Sequence, residues 1–102
     1  MFVASDEQIA EWKAKFGKVN KLSITSEEGV DYAAFLKPVD RKTLSIASTL
    51  GKTDPIKFNE VLLNNCWLDG DAEIKTDDAL FLAASGQLEG LLSKAQGKLE
   101  RV

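Results

Sequence analysis

The spacing of apolar residues changes twice along the chain, and this change limits the possible folds more than any other sequence feature. Between residues 18 and 37, Leu22 and Ile24 alternate with polar residues, which is typical of a strand with one buried face. On both sides of this segment, apolar residues recur at every third or fourth position, which is the spacing of an amphipathic helix. We therefore predict an α+β fold with a β-hairpin between helical segments.

Residues 1–17 are predicted to form an N-terminal helix, with helical residues from about 6 to 16. Ser5 and Gln8 have the spacing of a capping box, and Gly17 is suited to end the helix. We expect one face of this helix to pack on the core of the same domain; the alternative is contact with a partner protein. That face consists of Ile9, Trp12 and Phe16.

The predicted hairpin covers residues 18–37, with strands over about 19–25 and 30–37 and a turn between them. Pro38 ends the second strand because its nitrogen has no hydrogen to donate. An isolated hairpin is only marginally stable in water. The hairpin must therefore pack on the helices or join the sheet of another chain.

Residues 38–102 are predicted to form the helical part of the domain. Asp40 caps a first helix that ends at Gly51. Asp54 followed by Pro55 opens a second helix, because it combines an N-cap carboxylate with proline at the first helical position. The apolar residues of this second helix cover a wide arc, so we expect burial on more than one side. The predicted core includes Phe58, Leu62, Cys66 and Leu92.

The last predicted element is one long amphipathic helix that begins near Thr76 or Asp77. Its apolar face consists of Phe81, Ala84, Leu88, Leu91, Leu92, Ala95 and Leu99. The predicted order of elements is α-β-β-α-α-α: an N-terminal helix, a β-hairpin and three helices. All of them belong to a single domain of residues 1–102.

The composition argues against catalysis. The chain has no histidine, which removes the usual general base near neutral pH and the commonest transition-metal ligand. Cys66 is its single cysteine, which excludes an intramolecular disulfide and favours a reducing compartment. The net charge of −3 leaves no surplus of basic residues to bind the phosphates of a nucleic acid. No apolar run is long enough to span a bilayer. We predict a cytoplasmic, non-enzymatic protein that binds neither nucleic acid nor membranes and needs no cofactor.

Acidic residues alternate at Asp69, Asp71 and Glu73, as the first ligands of a calcium loop do. The sixth position of such a loop should be glycine and is Ile74, and the twelfth should be glutamate and is Leu80. We therefore predict a solvated acidic turn and no metal site. On this interpretation, Asp71→Asn changes the free energy of unfolding by no more than about 0.5 kcal/mol.

The glycines of the last predicted helix are the candidate partner-binding site. Gly86, Gly90 and Gly97 fall opposite the apolar face on a helical wheel, and Ala83 lies near the same line. A face without large side chains would let a partner helix or a second copy of the chain approach closely. Alternatively, the Ser85-Gly86 pair divides the segment into two shorter helices. Both interpretations stay open.

The most basic stretch of the sequence provides two further candidate contacts, Lys37 and Arg41. These two residues either contact an acidic surface of a partner or belong to a solvated junction between strand and helix. Spacing alone does not separate the two possibilities.

From residue 18 onward, the chain contains a succession of short motifs. They are Tyr32…Phe35-Leu36-Lys37-Pro38…Arg41, then Asp54-Pro55, then Leu62-Leu63…Cys66-Trp67-Leu68-Asp69-Gly70-Asp71, and a closing amphipathic segment. This succession resembles that of small proteins encoded in phage and prophage tail modules, the tail assembly chaperones. The resemblance implies a protein of the bacterial host cytoplasm that binds the tape-measure protein, the tail-tube protein or both, without cofactor or catalytic residues. The alternative is a structural tail or head-completion subunit, which a hairpin able to extend a sheet would favour.

Overall fold

The fold combines helices with one three-stranded antiparallel sheet, as seen in a computed structural model that describes residues 1–92 and 97–102. The α+β class predicted from the sequence is confirmed. In chain order the elements are α1 (Asp6–Phe16), β1 (Asn20–Thr25), β2 (Asp31–Leu36), α2 (Arg41–Gly51), α3 (Pro55–Cys66), β3 (Trp67–Gly70), α4 (Glu73–Thr76), α5 (Asp78–Ser85) and a 3-10 turn (Leu88–Leu91).

Four helices begin where a polar side chain accepts a hydrogen bond from a backbone N–H of the first turn. The Ser5 hydroxyl accepts from Gln8 at 3.1 Å, as the capping-box spacing predicts. The carboxylates at the starts of α2, α3 and α5 accept in the same way. They belong to Asp40, Asp54 and Asp77. These local bonds explain why the starts of the helices were predictable from the sequence.

The hairpin forms as predicted, and a third strand that the sequence analysis missed joins it. In the hairpin, Leu22 pairs with Ala34, and the turn contains Gly29 with a φ of 82°. On the other edge of β2, β3 pairs antiparallel with it, so that Gly70 lies opposite Ala34. A Cβ atom on Gly70 would lie 2.6 Å from the Cα of Ala34. Glycine at this position is therefore required by the close approach of β2, not by a turn.

The inner face of the sheet packs on the helices and forms the main core. Leu62 and Cys66 are buried there as predicted, whereas Phe58 and Leu92 are only partly buried. The buried cluster consists of Leu22, Ile24, Ala34, Leu36, Ala47, Leu62, Leu63, Cys66, Ile74, Leu80, Ala84, Leu88 and Leu91.

The outer face of the sheet is covered by the first part of the chain. Phe35 is buried on this face, with its ring 5.6 Å from that of Trp12 and 6.0 Å from that of Phe2. Helix α1 itself has no fully buried residue. The N-terminal helix therefore packs on its own domain, as expected, but through one partly buried face.

The prediction of one long final helix is wrong. Helix α5 ends at Ser85, and a 3-10 turn follows at Leu88–Leu91, because two glycines in six residues remove much of the helix propensity. The predicted alternative, a division at Ser85-Gly86, describes these residues correctly. Leu99 is fully exposed instead of lying on an apolar helix face, and Ala95 lies outside the described residues.

No helix in the described ranges is long and apolar enough to cross a membrane.

Candidate functional site

The acidic turn after β3 has a structural role, which corrects the prediction that it is merely solvated. One carboxylate oxygen of Asp71 accepts two backbone hydrogen bonds, from Phe2 and from Ala33, each at 2.9 Å. Burial alone would raise the pKa of Asp71, but the two N–H donors and the nearby positive N-terminal amine together hold the pKa below its ordinary value. Asp71 therefore fixes the first residues of the chain to the central strand.

Cys66 lies at the end of α3 with almost none of its surface exposed. Burial raises the pKa of its thiol, which keeps the sulfur protonated and unreactive at neutral pH. Among residues 1–92 and 97–102, no group of three or more acidic, cysteine or histidine side chains is arranged to hold a metal ion.

The small residues predicted to bind a partner do not share one helix face. Gly86 and Gly90 line one shallow depression beside the 3-10 turn. Ala83 lines a different groove, which α5 forms with the hairpin turn. Gly97 lies beyond the 3-10 turn in the last described segment, with open space around its Cα. The helical-wheel argument for one small-residue surface therefore fails, because no continuous helix joins these positions.

The two basic candidates, Lys37 and Arg41, have different surroundings. Lys37 donates its backbone N–H to the carbonyl oxygen of Cys66, and its ammonium group lies 5.5 Å from the Phe16 ring centre. Arg41 is the first residue of α2 and is exposed. Lys37 thus helps to hold α1, while Arg41 is open to solvent.

A groove with apolar side chains on both sides lies between α3 and the α4–α5 pair. It encloses about 510 Å³. Two of its apolar side chains are largely exposed, Ile56 at 50% and Leu82 at 60%, while Leu63 and Phe81 form its buried or half-buried floor. Exposed apolar residues that adjoin one another mark binding surfaces more often than scattered ones do.

Charged side chains surround this groove. Glu60 on α3 and Asp78 on α5 line it together with Lys75. Lys75 also lies 4.2 Å from the Trp67 ring centre, and Glu60 is 3.5 Å from the exposed Lys57. An apolar floor with polar groups at its edge is the usual composition of a protein-binding groove.

Sequence analysis missed this groove, although one signal was present. Leu80, Phe81 and Leu82 are consecutive in α5, and three consecutive residues cannot all face one side of a helix. Leu80 faces the core, which leaves Leu82 in solvent. The apolar residues of α3 also cover a wide arc, and Ile56, on one side of that arc, is half exposed.

The chain was compared with protein-family models, curated proteins and solved structures, and none of the three comparisons found a match.

Proposed function

We propose that this chain is a non-enzymatic protein-binding module, a phage or prophage tail assembly chaperone that binds the tape-measure protein, the tail-tube protein or both. Two independent lines support the proposal. The order of sequence motifs from residue 18 onward resembles that of tail assembly chaperones. The groove between α3 and α5 supplies a surface on which an apolar segment of another protein can bind. The site of action on this proposal is the cytoplasm of the bacterial host.

The observation that carries the proposal is the exposure of Ile56 and Leu82 on the two sides of one groove. Apolar side chains left in water cost free energy that burial against a partner recovers, about 25 cal/mol per Å². Grooves between helices commonly bind an amphipathic helix through apolar residues at positions i, i+3 or i+4, and i+7. A long helical protein such as a tape-measure protein offers many such segments.

A co-expression experiment tests this function. The tape-measure protein encoded with this chain is expressed alone, with the parent chain, and with a Leu82→Glu variant. We expect the parent to keep the tape-measure protein soluble and to co-purify with it, and the variant to lose both effects while its circular dichroism is unchanged. Leu50→Glu is the matched control, because Leu50 is a similarly exposed leucine on α2. Insolubility of the tape-measure protein with the parent chain, or equal binding by the Leu82→Glu variant, contradicts the proposal.

The residues proposed first from sequence, Ala83, Gly86, Gly90, Gly97, Lys37 and Arg41, are tested in the same assay. Gly90→Glu adds a large charged side chain in a position that is open in the free chain, since no atom lies within 4 Å of a Cβ built there. Gly90→Ala is its control. Loss of binding in the glutamate variant alone would place the partner at the 3-10 turn; unchanged binding in both would leave the groove as the site.

A structural tail or head-completion subunit is the second candidate, because β1 lies at an edge of the sheet. The sheet order β1-β2-β3 leaves one side of β1 without a neighbouring strand in the described part of the chain. An unpaired edge can accept a strand of another subunit. Mass spectrometry of purified particles separates the two candidates, because a structural subunit stays in the particle and an assembly chaperone leaves it.

A further inference from the structure

One long side of strand β1 carries backbone groups that no strand pairs in the described part of the chain. Ala33 on β2 shows which groups these are. Its N–H donates to the Asp71 carboxylate and its carbonyl accepts from the Asp71 N–H, so its backbone points away from β1. Ser23 lies opposite Ala33, and opposite residues of an antiparallel pair alternate between hydrogen-bonded and non-hydrogen-bonded pairs. The N–H and C=O groups of Lys21, Ser23 and Thr25 therefore point away from β2, and we call this row the β1 edge.

The side chains along the β1 edge set conditions on any strand that pairs with it. Leu22 and Ile24 are buried on the inner face of the sheet, whereas the side chains of Lys21, Ser23 and Thr25 are exposed. A pairing strand would extend both the hydrogen-bonded sheet and its apolar inner face. A lysine on an edge strand normally opposes pairing with another chain. The occupant of the β1 edge must therefore bring negative charge close to Lys21.

The charges along β1 change sign from one end of the strand to the other. Lys18 and Lys21 are exposed at its start, and no acidic side chain among the described residues lines the two depressions that they border. Glu27 and Glu28 are exposed in the hairpin turn, and the groove that they line with Asp77 has no basic side chain from the described ranges. Neither ion pair found among the described residues involves any of these five side chains. Strand β1 is thus basic at one end and acidic at the other.

We propose that the β1 edge of one copy of this chain pairs antiparallel with the β1 edge of a second copy, with Ser23 of both copies on the two-fold axis. This register joins all three outward-facing residues, because Lys21 of each copy then lies opposite Thr25 of the other. Antiparallel pairing of two identical strands places the basic end of each copy beside the acidic end of the other. Complementary charges fix the register of a contact and suppress wrong partners. The second copy therefore supplies the negative charge that Lys21 requires.

The two-fold contact is closed and weak. It uses the β1 edge of both copies, joins the two three-stranded sheets into one, and stops at a dimer. The six residues of β1 extend only about 20 Å, and strand pairing alone buries less than the roughly 1,200 Å² of a stable interface. We expect a dissociation constant between about 1 μM and 1 mM. The dimer does not rest on the α3–α5 groove, and it occupies the edge that the second candidate function leaves to another subunit.

Sedimentation velocity from micromolar to millimolar concentrations tests the proposal. We expect the parent to pass from monomer to dimer without larger species. Ser23→Pro removes the central outward N–H, and Lys18→Glu with Lys21→Glu makes both ends of β1 acidic; each should weaken dimerisation about tenfold or more. Ser23→Ala keeps the N–H and is the control for proline. Lys42→Glu with Lys52→Glu makes the same charge change in and after α2, and should dimerise as the parent does.

Mixing variants of opposite charge provides the decisive measurement. Glu27→Lys with Glu28→Lys makes both ends of β1 basic, so this basic variant alone should dimerise about tenfold or more weakly than the parent. An equimolar mixture with the acidic variant, Lys18→Glu with Lys21→Glu, should restore the dimer, because both ends of the contact then join opposite charges. These substitutions change exposed side chains only, so they test the pairing even if Ser23→Pro does not fold.

A disulfide between copies tests the register. Opposite Cα atoms of a hydrogen-bonded pair are about 5.5 Å apart, which a disulfide can span. Ser23→Cys should therefore form a disulfide-linked dimer under mild oxidation, whereas Thr25→Cys lies opposite Lys21 and should not. Cys66 is buried and does not compete.

Four results overturn the proposal: a parent that stays monomeric up to millimolar concentration, a parent that forms species larger than a dimer, a mixture of acidic and basic variants that stays monomeric, or equal cross-linking by the two cysteine variants. A monomeric parent would leave the β1 edge to a strand of a different protein. Leu82→Glu changes the α3–α5 groove and should dimerise as the parent does. Failure of the dimer and failure of the proposed function are therefore distinguishable.

Discussion

Substitution of Asp71 by asparagine tests how the first residues of the chain are held. Its carboxylate accepts hydrogen bonds from Phe2 and Ala33, both at 2.9 Å, and Ala33 is completely buried. A hydrogen bond to a charged acceptor contributes about 1.5–3 kcal/mol, and one to a neutral acceptor about 0.5–1.5 kcal/mol. Asparagine keeps an oxygen of similar geometry but loses the charge. Because Asp71 is partly exposed, we expect Asp71→Asn to lower the free energy of unfolding by about 1–2 kcal/mol for both bonds together.

The assay is urea unfolding at pH 7 followed by circular dichroism, combined with hydrogen exchange of residues 1–17. The urea concentration at which half of the protein is unfolded should be lower for the variant, and the dependence of the free energy of unfolding on urea should be unchanged. The backbone amides of α1 should exchange faster in the variant than in the parent. Glu73→Gln is the matched control, because Glu73 is an exposed carboxylate two residues along the same turn, and should change stability by no more than about 0.5 kcal/mol.

The pH dependence supplies a second check on the same reasoning. The pKa of Asp71 is lower in the folded state than in the unfolded state, so its stabilisation is complete above the unfolded value of about 3.9. Below that pH the unfolded chain takes up the proton first, and the stabilisation is lost as the pH falls through the lowered folded pKa. The difference in free energy of unfolding between the parent and Asp71→Asn should therefore shrink below about pH 4. If this difference in free energy of unfolding is absent at pH 7, or is equally large at pH 7 and in acid, the structural role of the Asp71 carboxylate is refuted.

Three further predictions concern the core, the sheet and metal ions. Leu62→Ala removes a completely buried side chain and should cost about 2–5 kcal/mol of unfolding free energy, measured by urea unfolding with Leu82→Ala as the exposed control. Gly70→Ala should lower the free energy of unfolding by roughly 1–3 kcal/mol, because the added Cβ would overlap Ala34. Gly90→Ala should raise it by about 0.4–1 kcal/mol, because the space at Gly90 is open. Equal effects of the two substitutions would contradict the packing of β3 on β2. Thermal unfolding with EDTA and with added calcium should give the same midpoint, and a clear rise with calcium would reveal a site at the acidic turn.

The sequence predicted those features that depend on neighbouring residues. Helix starts at Ser5, Asp40 and Asp54 were correct because a cap and its N–H donors lie within three residues of each other. The two hairpin strands were also correct, since alternation and the turn between them are local.

Features that depend on distant residues were not predicted. Trp67–Gly70 forms a strand only because β2 lies beside it, and its Asp-Gly ending resembles a turn. The role of Asp71 depends on Phe2, which is 69 residues away. The groove could have been suspected from Leu82, but its other side, formed by α3, depends on tertiary packing.

The attachment of α1 through Asp71 has a consequence for synthesis of the chain on the ribosome. Helix α1 is synthesised before the sheet, yet the carboxylate that accepts a hydrogen bond from Phe2 belongs to Asp71 and follows β3. Until that part has left the ribosome, the hydrogen bond that holds Phe2 beside Phe35 cannot form. Helix α1 is therefore synthesised well before the hydrogen bond that secures the residues ahead of it can form.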